Sequence, residues 1–208
     1  MNLKKIISAG LLVMAMPVFA QTLDTKALAK FSPATQRAAF EVCKNVKLSA
    51  DQQIALAKAI DKENDIFIKC INDNEGVLSP KGKNQLNRMR EKTLNDILDQ
   101  EQLAQYYRGV YDAEADAEGN AVANTLQKKY NLTDQNWKFI RVAFYKIALD
   151  SRVIRKMMAD QPKKANKKID ELKKYYLKTI EEKGGLSVDP ETMTITWLRD
   201  FDPDKLHR

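Results

Sequence analysis

The sequence predicts an all-α protein of long antiparallel helical hairpins, with two related units as one arrangement of them and a short extended segment near the C-terminal end. Three observations carry that expectation. Gly and Pro number only 7 and 6 among 208 residues, too few to punctuate a many-stranded sheet. Helix-start signals recur along the chain, while strand signals are nearly absent before residue 186. Apolar side chains return at three- and four-residue spacing over several turns at a time, and at 44% hydrophobic residues they can build a substantial core.

At the start, Lys4 and Lys5 precede an apolar run from Ile6, and Val18-Phe19-Ala20 sets small residues where signal peptidase reads them. Residues 1–20 are therefore expected to be a signal peptide cleaved after Ala20, leaving a soluble periplasmic or secreted chain. Ser8, Gly10 and Pro17 interrupt the run, which is too short for a membrane span, so no transmembrane segment is expected in the mature chain. Cleavage removes two lysines and no acid, which lowers the net charge from +7 to +5. In that compartment a basic balance points to other polypeptides, anionic lipids or cell-wall groups, and not to nucleic acid.

The helical reading then proceeds element by element. Ser32-Pro33 and Ser79-Pro80 each set a capping residue before a proline at the first helical position, where the missing N–H costs nothing. Between them Leu56, Ile60, Phe67 and Ile71 share a face, with Asn64 at the intervening turn, and Gly76 closes the element. Leu86, Met89, Thr93 and Ile97 mark the next stripe. Trp137, Ile140, Phe144, Ile147, Ser151, Ile154 and Met158 repeat the spacing until Pro162, and Ile169, Leu172, Tyr176 and Ile180 carry it to Gly184-Gly185. The expected organisation is a first helical unit at 21–111, a second at 112–185 and a tail at 186–208. In that tail Met193, Ile195 and Trp197 alternate with threonines as a short strand would, stable only if Trp197 and Leu198 pack on the helices.

Two cysteines in an oxidising compartment invite a bridge. Geometry argues against Cys43–Cys70. A helix over 49–70 carries Cys70 about 30 Å from its start, whereas the segment back to Cys43 reaches at most about 21 Å. Bridged Cα atoms must come within about 7 Å.

The two halves also align with each other. An offset of 84 pairs Ala39, Val42 and Val46 with Ala123, Leu126 and Tyr130, and an offset of 83 pairs Ile54, Ile71, Met89 and Ile97 with Trp137, Ile154, Leu172 and Ile180. Any two amphipathic stretches can be slid into such register, so duplication and coincidence both stay open.

A leucine, a capping residue and a glutamine recur three times: Leu48, Ser49 and Gln52; Leu98, Asp99 and Gln102; Leu132, Thr133 and Gln135. Ser49 or Asp99 can accept from the N–H three residues on, and Gln52 or Gln102 can reach back to the cap's own N–H, a capping box under a covering leucine. The first two copies resemble the Leu-Thr-x-x-Gln motifs of the Spy/CpxP family of periplasmic stress proteins, and Ile97-Leu98 with Glu101-Gln102, Gln105 and Tyr106 matches the second motif of that family closely. The resemblance is best over residues 40 to 110. Ser49 and Asp99 stand where the family has threonine, Gln135 comes one position early, and no partner motif lies near Ile180. The resemblance implies a helical protein that binds unfolded clients without ATP or signals envelope stress, with a homodimeric cradle as a family arrangement.

The helix from Trp137 to Met158 is apolar on more than one side. Phe139, Tyr145 and Met157 lie off the main stripe beside Arg152, Arg155 and Lys156, which together are the candidate surface for clients or partners. A central helix buried from both sides is the other reading of the same residues. Lys163, Lys164, Lys167, Lys168, Lys173, Lys174 and Lys178 nearly surround the following helix, and Asp112, Glu114, Asp116 and Glu118 form an opposed acidic cluster, expected to pair between halves or subunits. That cluster lacks the glycine and terminal glutamate of a calcium loop. The one histidine, His207, leaves no histidine-based triad or metal site, and no phosphate loop or nucleophile elbow stands out. The sequence thus predicts a binding protein, not an enzyme, with no cofactor and no metal: an exported chaperone-like or stress-adaptor protein for unfolded or envelope polypeptides. The alternative is a structural or adaptor protein of an envelope complex.

Overall fold

The computed structural model describes residues 24–198. The expected signal peptide at 1–20 and His207 lie outside the described residues. The described chain runs α1 (Thr25–Leu28), α2 (Pro33–Cys43), α3 (Ala50–Asn72), α4 (Pro80–Ile97), α5 (Gln100–Tyr130), α6 (Asp134–Met157), α7 (Pro162–Gly184), β1 (Leu186–Asp189) and β2 (Thr194–Trp197). It is an all-α fold with one short antiparallel strand pair, as the sequence predicts, and no helix among the described residues is long and apolar enough to cross a membrane. The chain divides into two compact units between Tyr106 and Tyr107, inside α5, where the sequence reading sets the boundary after residue 111.

In unit 1 the start signals work as read. Ser32 Oγ accepts from Thr35 N at 3.1 Å, and Ser79 Oγ from Gly82 N at 3.1 Å, each before a proline. Helix α3 packs on α2 and on α4 through fully buried Leu56, Ala57 and Ile60. The expected stripe then fails at its far end, because Phe67 is 40% exposed. The cause is length. Thr35, at the beginning of α2, bonds to Asp61 and, at 3.3 Å, to Asn64, so the cover that α2 provides stops there. Beyond that turn α4 is the one helix packed beside α3 among the described residues, which leaves the other side of α3 uncovered by them.

Within the α3–α4 hairpin Glu63 is buried and meets Arg90 Nε at 2.6 Å and Thr93 Oγ1 at 3.2 Å, which satisfies a carboxylate that would otherwise be costly to enclose. Cys43 and Cys70 are both free, as helix geometry requires.

Unit 2 packs the rest of α5 against α6, and α6 against α7, around Ala123, Leu126, Ile140, Phe144 and Ile180. Gly119 permits the first contact: a Cβ there would stand 2.7 Å from the Arg141 carbonyl oxygen. Gly185 ends α7 in the left-handed region at φ 63°. The strands pair Leu186 with Trp197 and Val188 with Ile195. Trp197 and Leu198 do not anchor them, being 47% and 41% exposed. Leu186, Val188 and Ile195 do so instead, by entering the unit 2 core. The outer edge of β2 is occupied as well. The Ile195 N–H bonds to the Tyr130 hydroxyl, holding that phenol below its ordinary pKa, and Lys129 Nζ reaches Met193 O at 3.4 Å. An occupied edge does not invite an added strand.

Candidate functional site

The two motif copies that resemble the Spy/CpxP pattern meet in unit 1. Each first closes its own capping box. Ser49 Oγ accepts from Gln52 N at 3.2 Å while Gln52 Oε1 accepts from Ser49 N at 3.0 Å; Asp99 Oδ1 accepts from Gln102 N at 2.8 Å while Gln102 Oε1 accepts from Asp99 N at 3.1 Å. Leu48 and Leu98, just before the caps, are buried beneath them.

The glutamines then cross over. Gln52 Nε2 donates to Gln102 Oε1 at 2.8 Å and to Ile97 O at 2.9 Å, and Gln102 Nε2 donates to Gln52 Oε1 at 3.1 Å and to Lys47 O at 2.9 Å. Ile97 immediately precedes Leu98, and Lys47 immediately precedes Leu48, so each amide group caps the chain entering the other motif. The pattern is an internal two-fold in which the same atoms in each copy do the same work. Glutamine is required because one side chain must accept and donate at once, which neither a carboxylate nor an aliphatic residue can do.

The third copy does not repeat this. Thr133 Oγ1 accepts from Asn136 N at 3.2 Å, but the third residue of the helix is Asn136, and Gln135 points to an exposed position. Leu132 remains buried. Buried Asn136 instead approaches Gly184, its Oδ1 3.3 Å from where a Cβ would sit. Unit 2 therefore keeps the leucine and the cap while losing the reciprocal glutamine.

The residues expected to form a client surface on α6 divide into two groups. Arg152 is engaged internally, with Nη2 at 3.0 Å from Glu114 and 2.9 Å from Glu118 and Nη1 on Ala148 O at 3.1 Å. Tyr145 donates its hydroxyl to Asp112 at 2.5 Å; burial and that carboxylate hold the phenol above its ordinary pKa. Arg141 joins the lattice by pairing with Asp116 and donating to Asn120 at 2.8 Å. The acidic cluster of α5 is thus met by α6 within one unit. Phe139 and Met157 are half-buried, while Arg155 and Lys156 are exposed.

Two features escape a sequence reading. Asp150 is buried with Arg108 at 2.7 Å and Tyr176 Oη at 3.2 Å, tying α5 and α7 to α6. The far end of the α3–α4 hairpin exposes Phe67 at 40%, Ile68 at 55% and Val77 at 64%, with Ile71 and Leu78 half-buried beside them. Its signal was present in the sequence as the shortness of α2 relative to α3. No group of three metal-binding side chains comes together among the described residues. No protein-family model, curated protein or solved structure matches this chain.

Proposed function

We propose that this chain is an exported, ATP-independent chaperone-like or stress-adaptor protein of the Spy/CpxP type. The observation that carries the reading is the Gln52–Gln102 junction. It gives both motif glutamines one shared structural task, so their spacing in the sequence is more than two coincident helix caps. The apolar end of the α3–α4 hairpin supports the binding half of the proposal. Phe67, Ile68 and Val77 offer water-exposed apolar area of the kind an unfolded segment covers through weak, adaptable contacts. This moves the expected contact away from Tyr145 and Arg152, whose polar groups already have partners.

The alternative role, an adaptor held permanently in an envelope complex, would use the same apolar end as a fixed interface. Aggregation of a thermally unfolded client enzyme, followed by light scattering with the purified protein present, separates the two. A chaperone suppresses scattering at near-stoichiometric amounts without ATP. A fixed-interface adaptor leaves it unchanged.

A further inference from the structure

We propose that the closed end of the α6–α7 hairpin is an electrostatic docking surface for an anionic lipid bilayer. The inference stands apart from polypeptide binding and rests on where unpaired charge collects. Arg155, Lys163, Lys164, Lys167 and Lys168 lie, with Lys156, between residues 155 and 168, where Asp160 is the one acid before Asp170 and Glu171. None of the five has an ion-pair partner among the described residues, whereas Arg90, Arg108, Arg141 and Arg152 each meet a carboxylate.

These charges work against the helix that carries them. Lys163 with Lys167 and Lys164 with Lys168 are like-charged at i,i+4, and Lys163 and Lys164 sit in the first turn, at the positive end of the helix dipole. Helices α3, α5 and α6 follow the opposite rule, with Asp51, Glu101 and Asp134 in their first turns, while α2 and α4 carry no acid there but keep a side-chain cap from Ser32 and Ser79. Helix α7 has no acid there and no side-chain cap bond. The fold does not need the lysines either, because Ile154, Ala165, Ile169 and Leu172 pack this end together from the other side. A cost with no return inside the fold indicates a return outside it.

The charge pattern selects the partner. Another copy of the chain is unsuited, because it carries the same positive excess and its α5 acids are already paired with Arg141 and Arg152. A single acidic peptide would favour arginine forks aligned along a groove. Here four lysines, which act as point charges, fan over roughly 140° of the helix surface. A laterally mobile sheet of phosphate groups can meet all of them at once, each adding about five-fold to binding. Half-buried Met157 and Met158 lie beside them and offer apolar contact at the headgroup boundary.

The test is co-sedimentation of the full protein with mixed phosphatidylglycerol and phosphatidylcholine vesicles, and with phosphatidylcholine alone. The quadruple variant Lys163→Gln, Lys164→Gln, Lys167→Gln, Lys168→Gln is compared with Lys58→Gln, Lys62→Gln, Lys69→Gln, Lys83→Gln, which removes the same charge from unit 1. The expected result is binding to the anionic vesicles only, weakened about six-hundred-fold by the α7 changes and little by the unit 1 changes. The α7 variant should melt no lower than the parent, since repulsion is relieved. Equal weakening by both sets would make net charge the cause and overturn the proposal. So would failure of the parent to bind, or lysine-dependent binding to polyglutamate in its place.

Discussion

Gln52 and Gln102 hydrogen-bond to each other in both directions, at 2.8 and 3.1 Å, while each closes its own capping box. Because each amide also holds the chain entering the other motif, the pair should behave as a unit. Changing either residue to Ala removes a box and strands a carbonyl, at a cost of about 1 to 2 kcal/mol. The second change should cost less than the first, with a coupling of about 0.5 to 3 kcal/mol by double-mutant cycle in urea denaturation. Strict additivity would mean that the crossover contributes nothing. Changing Asp99 and Gln102 together to Ala should likewise lower stability, the cap itself accounting for about 0.5 to 2 kcal/mol.

Much of this junction is legible in the sequence, and the part that is not has a definite cause. Capping boxes are local, so Ser49 with Gln52 and Asp99 with Gln102 can be read from spacing alone. The crossover joins residues 50 apart, and nothing local announces it. The same division explains α6. Its two-sided apolar character is visible, but which side is covered depends on α5, and Arg152 is drawn inward by Glu114 and Glu118. Phe67 fails for a third reason: periodicity reports a face and not how far the neighbouring helix extends along it.

Gly119 tests the α5–α6 contact. In an isolated helix Gly→Ala should gain about 1 kcal/mol from propensity. Here the new Cβ would lie 2.7 Å from the Arg141 carbonyl and 2.9 Å from Tyr145 N, both backbone atoms that cannot swing aside. The clash should win, for a net loss of about 1 to 3 kcal/mol in thermal or chemical denaturation. A stabilised variant would show that the two helices are not in such close contact.

The cysteines should react at very different rates. Cys70 is half-buried, whereas Cys43 is 1% exposed and burial pushes its thiol from 9.0 up to about 11. A thiol reagent at neutral pH should label Cys70 in the folded protein and Cys43 only on unfolding. The raised value also sets a pH dependence. The stability contribution of the protonated thiol is complete below pH 9.0 and is lost as pH rises through about 11. Tyr145 and Tyr176, held high by burial and then by their carboxylate neighbours, act in the same direction at still higher pH. Alkaline melting should therefore steepen above pH 9.0 in the parent and less so in Cys43→Ala. Equal slopes would remove Cys43 from the account.

The apolar end of the α3–α4 hairpin yields the prediction that bears most directly on function. Ile68 and Val77 are exposed enough that changing either to Ser should move stability by no more than about 0.5 kcal/mol, while Phe67, more than half covered, should cost about 1 to 2 kcal/mol. If unfolded segments settle there, the triple variant should keep the parent's circular dichroism and stay folded at the assay temperature while losing most of its suppression of client aggregation. Salt discriminates further. Charge attraction is screened with a Debye length of about 8 Å at physiological strength, whereas apolar burial is not weakened in that way. Suppression through this end should therefore persist in high salt. A triple variant as active as the parent would remove the hairpin end as the contact. A parent that suppresses nothing would leave the same residues as a fixed interface in an envelope assembly, detectable as a complex that the triple variant no longer forms.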